Sequence, residues 1–252
     1  MRRTRVIPVL LIHNKGVYKT TKFKNPQYIG DPINAIRLFN DLEADEIIIL
    51  DIDASKLGKS PDLNIIEDIV SEAFMPVAYG GGINNKNLAG EILRLGVEKI
   101  IFNHAAQQNT TIVQDCITSY GASSVVVCVD YMRGPSGLYQ QFNHVDSCVT
   151  DLSLAEAVGE AQKLGVGEIM IHSVDRDGVM NGLDINNITE IAPALDVPLI
   201  VCGGAGAIGD LKEASDAGAN AIAAGSMFLY LGKLKGIMIN YPSDETLRQC
   251  LR

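Results

Sequence analysis

The sequence predicts an α/β fold, a (β/α)8 TIM barrel with an internal half-barrel duplication. Three observations carry this. Eight short apolar runs rich in Val and Ile alternate with eight longer amphipathic stretches, as a parallel sheet buried on both faces requires. The 252 residues accommodate eight βα units as a single domain spanning 1–252. The halves also repeat: Ala78-Tyr79-Gly80-Gly81-Gly82-Ile83 returns as Val201-Cys202-Gly203-Gly204-Ala205-Gly206, 123 positions later. An open doubly wound sheet is the other arrangement that the alternation alone allows.

The first run, 5–11, sets the frame. Strand alternation puts Arg5, Ile7, Val9 and Leu11 on one face, the expected barrel interior, with a cation at the floor and a leucine at the mouth. Further strands are expected at 46–52, 75–79, 98–103, 124–130, 168–173, 198–202 and 220–225. Helical patterns fall near 31–43, 62–73, 84–95, 108–119, 152–164, 184–193, 207–217 and 243–251. Asp31 before Pro32 is an N-cap preceding an N1 proline, and Asp151 and Asp184 are expected to cap likewise. Gly96, Gly121, Gly165 and Gly218 stand where helices should stop. The polar, Gly- and Gln-containing segment 132–149 is expected to be the one long βα connection, a hairpin or a lid. Leu50-Asp51-Ile52-Asp53 recurs loosely as Val174-Asp175-Arg176-Asp177, and Val6–Leu11 as Val125–Asp130.

Charge and composition narrow the function classes. A net charge of -9 argues against a nucleic-acid or anionic-membrane partner, which would need a basic face. No apolar run reaches the roughly 18 residues of a spanning helix. The basic start, Met1-Arg2-Arg3-Thr4-Arg5, runs directly into strand-like sequence without a small-residue cleavage site, so a cytoplasmic location is expected. Five cysteines without a CxxC suggest reduced, mostly buried thiols rather than disulfides or zinc. No HxH or HExxH spacing is present, and neither a metal nor another cofactor is expected.

In such barrels chemistry sits at the C-terminal strand ends. Gly80–Gly82 and Gly203–Gly206 each open onto a helix, where unobstructed backbone amides make an anion site. Asn103, Asp177-Gly178 and Gly225-Ser226 are placed to complete two phosphate cradles on opposite sides of the mouth, which suits a ligand phosphorylated at both ends. Asp130 closes a fully apolar strand, costly for a carboxylate unless it faces a polar site; Asp51 and Asp177 have the same standing. The four histidines, His13, His104, His144 and His172, fall beyond strand ends or in the loop after strand five. At the strand bases Arg5, Glu46, Lys99 and Glu168 each begin an apolar run; facing inward, they would form a ring of alternating charge closing the floor.

Over essentially its whole length the sequence resembles the cyclase subunit of imidazole glycerol phosphate synthase, HisF, of histidine biosynthesis. The marks are Arg5-Val6-Ile7-Pro8, Gly30-Asp31-Pro32, Leu50-Asp51-Ile52, Gly80-Gly81-Gly82-Ile83, Asn103, Ser173-Val174-Asp175-Arg176-Asp177-Gly178 and Gly203-Gly204-Ala205-Gly206. The resemblance implies a partner glutaminase at the floor, whose ammonia crosses the barrel to a bis-phosphate substrate at the mouth. It implies an ammonia gate at Arg5, Glu46, Lys99 and Glu168. It also implies one phosphate site at Gly82 and Asn103 and another at Asp177, Gly178, Gly204, Gly225 and Ser226, with Lys19 on a substrate-closing first loop. Asp130 matches one of two catalytic aspartates. The other position holds Leu11, which cannot move a proton. His104 and His172 stand where the family usually has threonine.

Two functions follow as expectations. In the first, a HisH-like glutaminase supplies ammonia to this barrel, which conducts it to a third enzyme building an amidino group on an activated sugar. HisF-like paralogues of surface-polysaccharide biosynthesis are similar to this chain in that respect. In the second, the chain is a genuine cyclase-lyase in which a histidine such as His13 replaces the missing acid. A sugar-phosphate isomerase would make no use of the charged floor.

Overall fold

The computed structural model describes residues 3–232 and 234–251. Met1 and Arg2 of the basic start, and the far end of the 1–252 span at Arg252, lie outside the described residues. Eight parallel strands close into a barrel: β1 (Arg5–His13), β2 (Ile47–Asp51), β3 (Val77–Gly80), β4 (Lys99–Phe102), β5 (Val125–Arg133), β6 (Glu168–Ser173), β7 (Leu199–Cys202) and β8 (Ala221–Ala224). Each pairs with the next, and β8 returns to β1 with Arg5 opposite Ala221 and Pro8 opposite Ala224. The open doubly wound alternative is thereby excluded.

The helices α1 (Pro32–Asp41), α2 (Leu63–Glu72), α3 (Lys86–Arg94), α4 (Thr110–Tyr120), α5 (Leu154–Lys163), α6 (Ile185–Ile191), α7 (Ile208–Asp216) and α8 (Asp244–Cys250) follow the strands in turn. Asp31 caps α1 through the Asn34 amide at 2.9 Å, with Pro32 at the first helical position. Two expected caps are corrected. Ser153, not Asp151, caps α5, because Glu156 three residues on closes a capping box with it. Asp184 precedes α6 but spends its carboxylate on the Asn187 side chain, 2.9 Å away. Gly96, Gly121, Gly165 and Gly218 all follow their helices at positive φ.

Strand alternation divides the apolar residues into two layers. Val6, Leu10 and Ile12 face the helices, together with Ile47, Ile49, Ile169 and Ile222. Ile7, Val9, Leu11, Ile48, Ala78, Ile101, Val126, Cys128, Met170, Ile200, Cys202, Ala221 and Ala223 fill the interior. Of the thiols, Cys116, Cys128 and Cys202 are buried, Cys148 is exposed and Cys250 half-buried; all five are free.

Segment 132–149 is a long βα connection and forms the expected hairpin, Tyr139–Asn143 against Cys148–Ser153, paired to the end of β5, but it is not the one such connection. A second hairpin, Gly16–Thr21 against Lys24–Gly30, extends β1 in the equivalent place, with Leu11 opposite Tyr18. Its tight turns hold Asn14, Lys15, Lys22 and Phe23 at positive φ without any glycine.

Candidate active site

At the floor, the four residues at the strand bases meet. Arg5 contacts Glu46 at 2.6 Å and Glu168 at 2.8 Å; Lys99 contacts the same two carboxylates at 3.1 and 3.3 Å. The charges alternate around a closed ring. Glu46 and Lys99 are buried, Arg5 and Glu168 half-buried. Burial works against the Arg5 charge, but Glu168 and Glu46 together hold its pKa above the ordinary value. Directly above lies the apolar interior.

At the mouth a cavity of about 880 Å³, its open end included, has a mixed lining. Leu11, Leu50, Ile52, Ile101, Phe102 and Phe23 are its large apolar groups; Asp51, Lys56, Asn103, His104, Asp130, His144, His172 and Asp177 are its chief polar ones. Asp130 is buried at the end of β5, and three groups address it. His144 Nδ1 lies 3.3 Å from one oxygen, His172 Nδ1 3.7 Å from the other, and the Cys128 Sγ donates to it across 3.6 Å. Burial and this carboxylate push the Cys128 thiol well up, so it stays protonated. The other nitrogen of His172 lies 3.7 Å from Asp177, so the ring bridges two buried carboxylates by charge proximity rather than by hydrogen bonds. Burial opposes the imidazolium, yet the Cys202 sulfur and Asp177 hold its pKa well above the ordinary value. Burial likewise opposes the Asp177 carboxylate, but His172 and Lys19 keep its pKa well below the usual range.

The expected phosphate residues divide into two groups. Gly82, Asn103, His104 and Asp51 line the open cavity. Gly81 has φ +122, and a Cβ there would stand 2.4 Å from the Asp51 carbonyl, so the strand-to-helix turn is tight enough to require glycine. Asp51 accepts from the Asp53 and Ala54 amides, both at 2.9 Å, and so caps the short helix Ala54–Leu57; burial raises its pKa against those donors. Burial and the neighbouring His144 lower the His104 pKa, which favours a neutral ring. Gly178, Gly204, Gly225 and Ser226 do not line this cavity; Gly178 meets Thr20, Gly204 meets Gly182 and Gly225 meets Lys19. Gly203 repeats the geometry of Gly81, with φ +98 and the carbonyl that ends β6, Ser173 O, 2.6 Å from a notional Cβ; Gly204 is as tight against Gly182 O at 2.2 Å.

Lys19 lies between these halves, not on an open loop. It is 5% exposed, on the hairpin strand, with its Nζ 2.7 Å from Asp177. His13 is also placed differently from the expectation. It lies outside the cavity lining, held by Asp53 at 2.7 Å and stacked edge-on against Tyr18. The histidines that reach Asp130 are His144 and His172. The loop position of His144 gives no sign of this in the sequence; only the hairpin turns it toward Asp130. Thr20 and Phe23 are further lining residues without a sequence signal of their own, although Val17–Thr21 hints at a strand.

A closed parallel barrel with its polar groups gathered at the mouth, above a floor of paired charges, defines a (β/α)8 barrel whose reactive end is the C-terminal face. The chain belongs to the family described as Histidine biosynthesis protein, whose model matches residues 5–235, and is of the HisF type. It is 43% identical over 247 residues to the "Putative imidazole glycerol phosphate synthase subunit HisF" of Leptospira interrogans, covering 97% of each chain. It is 44% identical over 251 residues to the "Putative imidazole glycerol phosphate synthase subunit hisF2" of Pseudomonas aeruginosa, covering 98% of this chain and 99% of that one. To the "Imidazole glycerol phosphate synthase subunit HisF" of Petrotoga mobilis it is 34% identical over 231 residues, covering 91% and 92%. Among the described residues no helix is long and apolar enough to cross a membrane, and no group of three His, Cys, Asp or Glu is arranged to hold a metal ion.

Proposed function

We propose that this chain is the barrel subunit of a glutamine amidotransferase, in which a HisH-like glutaminase docks at the floor and releases ammonia into the charged ring. The closed ring of Arg5, Glu46, Lys99 and Glu168 is the observation that carries this reading. A desolvated ring of four charges is costly to maintain, and a purely structural floor would be served as well by apolar residues. Above it, an interior of aliphatic and sulfur side chains with Ala78, Ala221 and Ala223 among them favours neutral ammonia over ammonium. Leu11 leaves Asp130 without its opposite acid, so the ordinary cyclase reaction is impaired and the ammonia serves another acceptor. That acceptor is an activated sugar given an amidino group by a third enzyme, as in surface-glycan biosynthesis, and the assembly works in the cytoplasm. The chain acts as one barrel domain and needs no metal or cofactor.

Ammonium-dependent turnover of the ribulosyl aminoimidazole-carboxamide bis-phosphate tests the point directly. Little turnover is expected of the native chain, and roughly a hundredfold more of Leu11→Asp, the usual worth of an acid–base group. Robust native turnover would instead favour the second reading, an active cyclase-lyase. The contact of His144 and His172 with Asp130 supports that alternative, since an imidazole can supply the missing proton transfer.

A further inference from the structure

Large apolar side chains stand exposed together on one sector of the mouth. Tyr28, Leu231, Leu234, Ile237 and Met238 are each between 55% and 98% exposed. They lie on or beside two hairpins. The first, Gly16–Thr21 against Lys24–Gly30, extends β1; the second, Tyr230–Leu231 against Gly236–Ile237, leaves the short helix Ser226–Leu229 that follows β8. Strands β8 and β1 are neighbours, so both hairpins rise from the same part of the C-terminal face. They meet where Tyr230 Oη donates to Gln27 Oε1 at 3.3 Å.

The second hairpin is fixed at its base. The Met238 amide donates to the Leu229 carbonyl at 3.0 Å and the Asn240 amide to the Phe228 carbonyl at 2.9 Å, and Phe228 is fully buried. Above that base, strand alternation puts Leu231 and Met238 on one face and Ile237 on the other, with Leu234 in the turn. Both faces are apolar and open. A two-stranded hairpin standing alone in water is marginal, and contiguous exposed apolar surface marks a place of contact. Lys22, Lys24 and Lys235, carried by the same two hairpins, are exposed and give the surface a cationic rim on a chain of net charge -9.

The possible occupants make different demands. A second copy would bring the same cationic rim against this one, which is repulsive. A glutaminase belongs at the opposite end, on the ring of Arg5, Glu46, Lys99 and Glu168. An enzyme that consumes the ammonia has to meet the barrel at the mouth, because ammonia leaving an open mouth is diluted and protonated in bulk water.

We propose that the two hairpins are the docking surface for the enzyme that accepts the ammonia, which covers them with an apolar cleft bordered by carboxylates and so closes the mouth. This inference rests on the reading of the chain as an ammonia conduit to another enzyme, and adds where that enzyme binds.

Biolayer interferometry on the complex of this chain with its cognate glutaminase, titrated with the purified acceptor enzyme, tests it. The native complex should bind, and Leu234→Asp and Ile237→Asp should each raise the dissociation constant at least tenfold. Both variants should stimulate glutamine hydrolysis as the native chain does, which shows fold and floor intact. With all three proteins and glutamine, free ammonium should rise at least threefold when either variant replaces the native chain. Acceptor binding within threefold of native by both variants overturns the inference and leaves the conduit reading standing. A native complex that binds no acceptor overturns both. Native self-association in sedimentation velocity that Leu234→Asp abolishes would assign the surface to a second copy. Binding to anionic phospholipid vesicles that the same substitution abolishes would assign it to a membrane; either result overturns the inference. Should the aspartate variants not fold, Lys24→Glu combined with Lys235→Glu should weaken acceptor binding at least tenfold, and unchanged affinity would contradict the proposal.

Discussion

At the scale of the residue, two side chains set the character of the mouth. Leu11 lies in the apolar interior, where the resemblance implies a carboxylate, and the His172 ring lies 3.7 Å from both Asp130 and Asp177. The His172 contribution to stability has a defined pH signature. A group whose folded pKa is raised stabilises fully below its unfolded value, near 6.5, and that stabilisation is lost as pH rises through the folded value. Asp177, lowered on folding, contributes above its unfolded value and is lost as pH falls through the folded one. Denaturant unfolding of the native chain should therefore weaken in strong acid and again in the alkaline range. His172→Gln should remove the alkaline component and cost about 3 kcal/mol at pH 7, as expected when one partner of a buried pair is deleted. An alkaline limb that survives the substitution would show that His172 is not the titrating group. Leu11→Asp inserts a carboxylate into the apolar interior and should cost roughly 1–3 kcal/mol even where it restores turnover.

At the scale of the element, the barrel strands and their helices were legible because each carries its own signal: Val- and Ile-rich runs, the Asp31-Pro32 start, terminal glycines. The hairpin of Gly16–Thr21 and Lys24–Gly30 was not. Hairpin turns ordinarily announce themselves with Asn-Gly or Asp-Gly, whereas this one places Lys22 and Phe23 at positive φ, residues that carry no such mark. Strain of that kind is sustained by the surroundings: the Lys22 and Phe23 amides both donate to Asp177. The partners of Asp130 were hidden for a related reason, since His144 comes from a hairpin turn and His172 from β6, and it is the β5–β6 register, with His172 opposite Asp130, that brings them together. Gly178→Ala tests the hairpin's dependence on that close approach. With φ +72 and a carbonyl in the way, the substitution should cost about 1–3 kcal/mol locally and open residues 16–30 to limited proteolysis. Protease resistance equal to the native chain would mean the hairpin is held from elsewhere.

At the scale of the whole molecule, the two ends differ in what they carry. The floor is a closed ring of four charges, and the mouth has two glycine turns and Asp130, with Leu11 across the barrel. Charged floor and glycine turns were both readable in the sequence, because strand bases and strand tops recur at predictable positions. The burial of Lys19 against Asp177 was not, since it depends on where the first hairpin folds. Lys99→Met would leave Glu46 and Glu168 with Arg5 alone and should destabilise the chain by roughly 3 kcal/mol, measured by denaturant unfolding. The central claim is that this floor receives ammonia from a docked glutaminase. Glutamine hydrolysis by the cognate glutaminase, measured with and without this chain, tests it most directly. Hydrolysis should rise at least tenfold on adding the native chain and far less on adding Arg5→Ala; hydrolysis indifferent to the native chain would contradict a docked glutaminase at the floor.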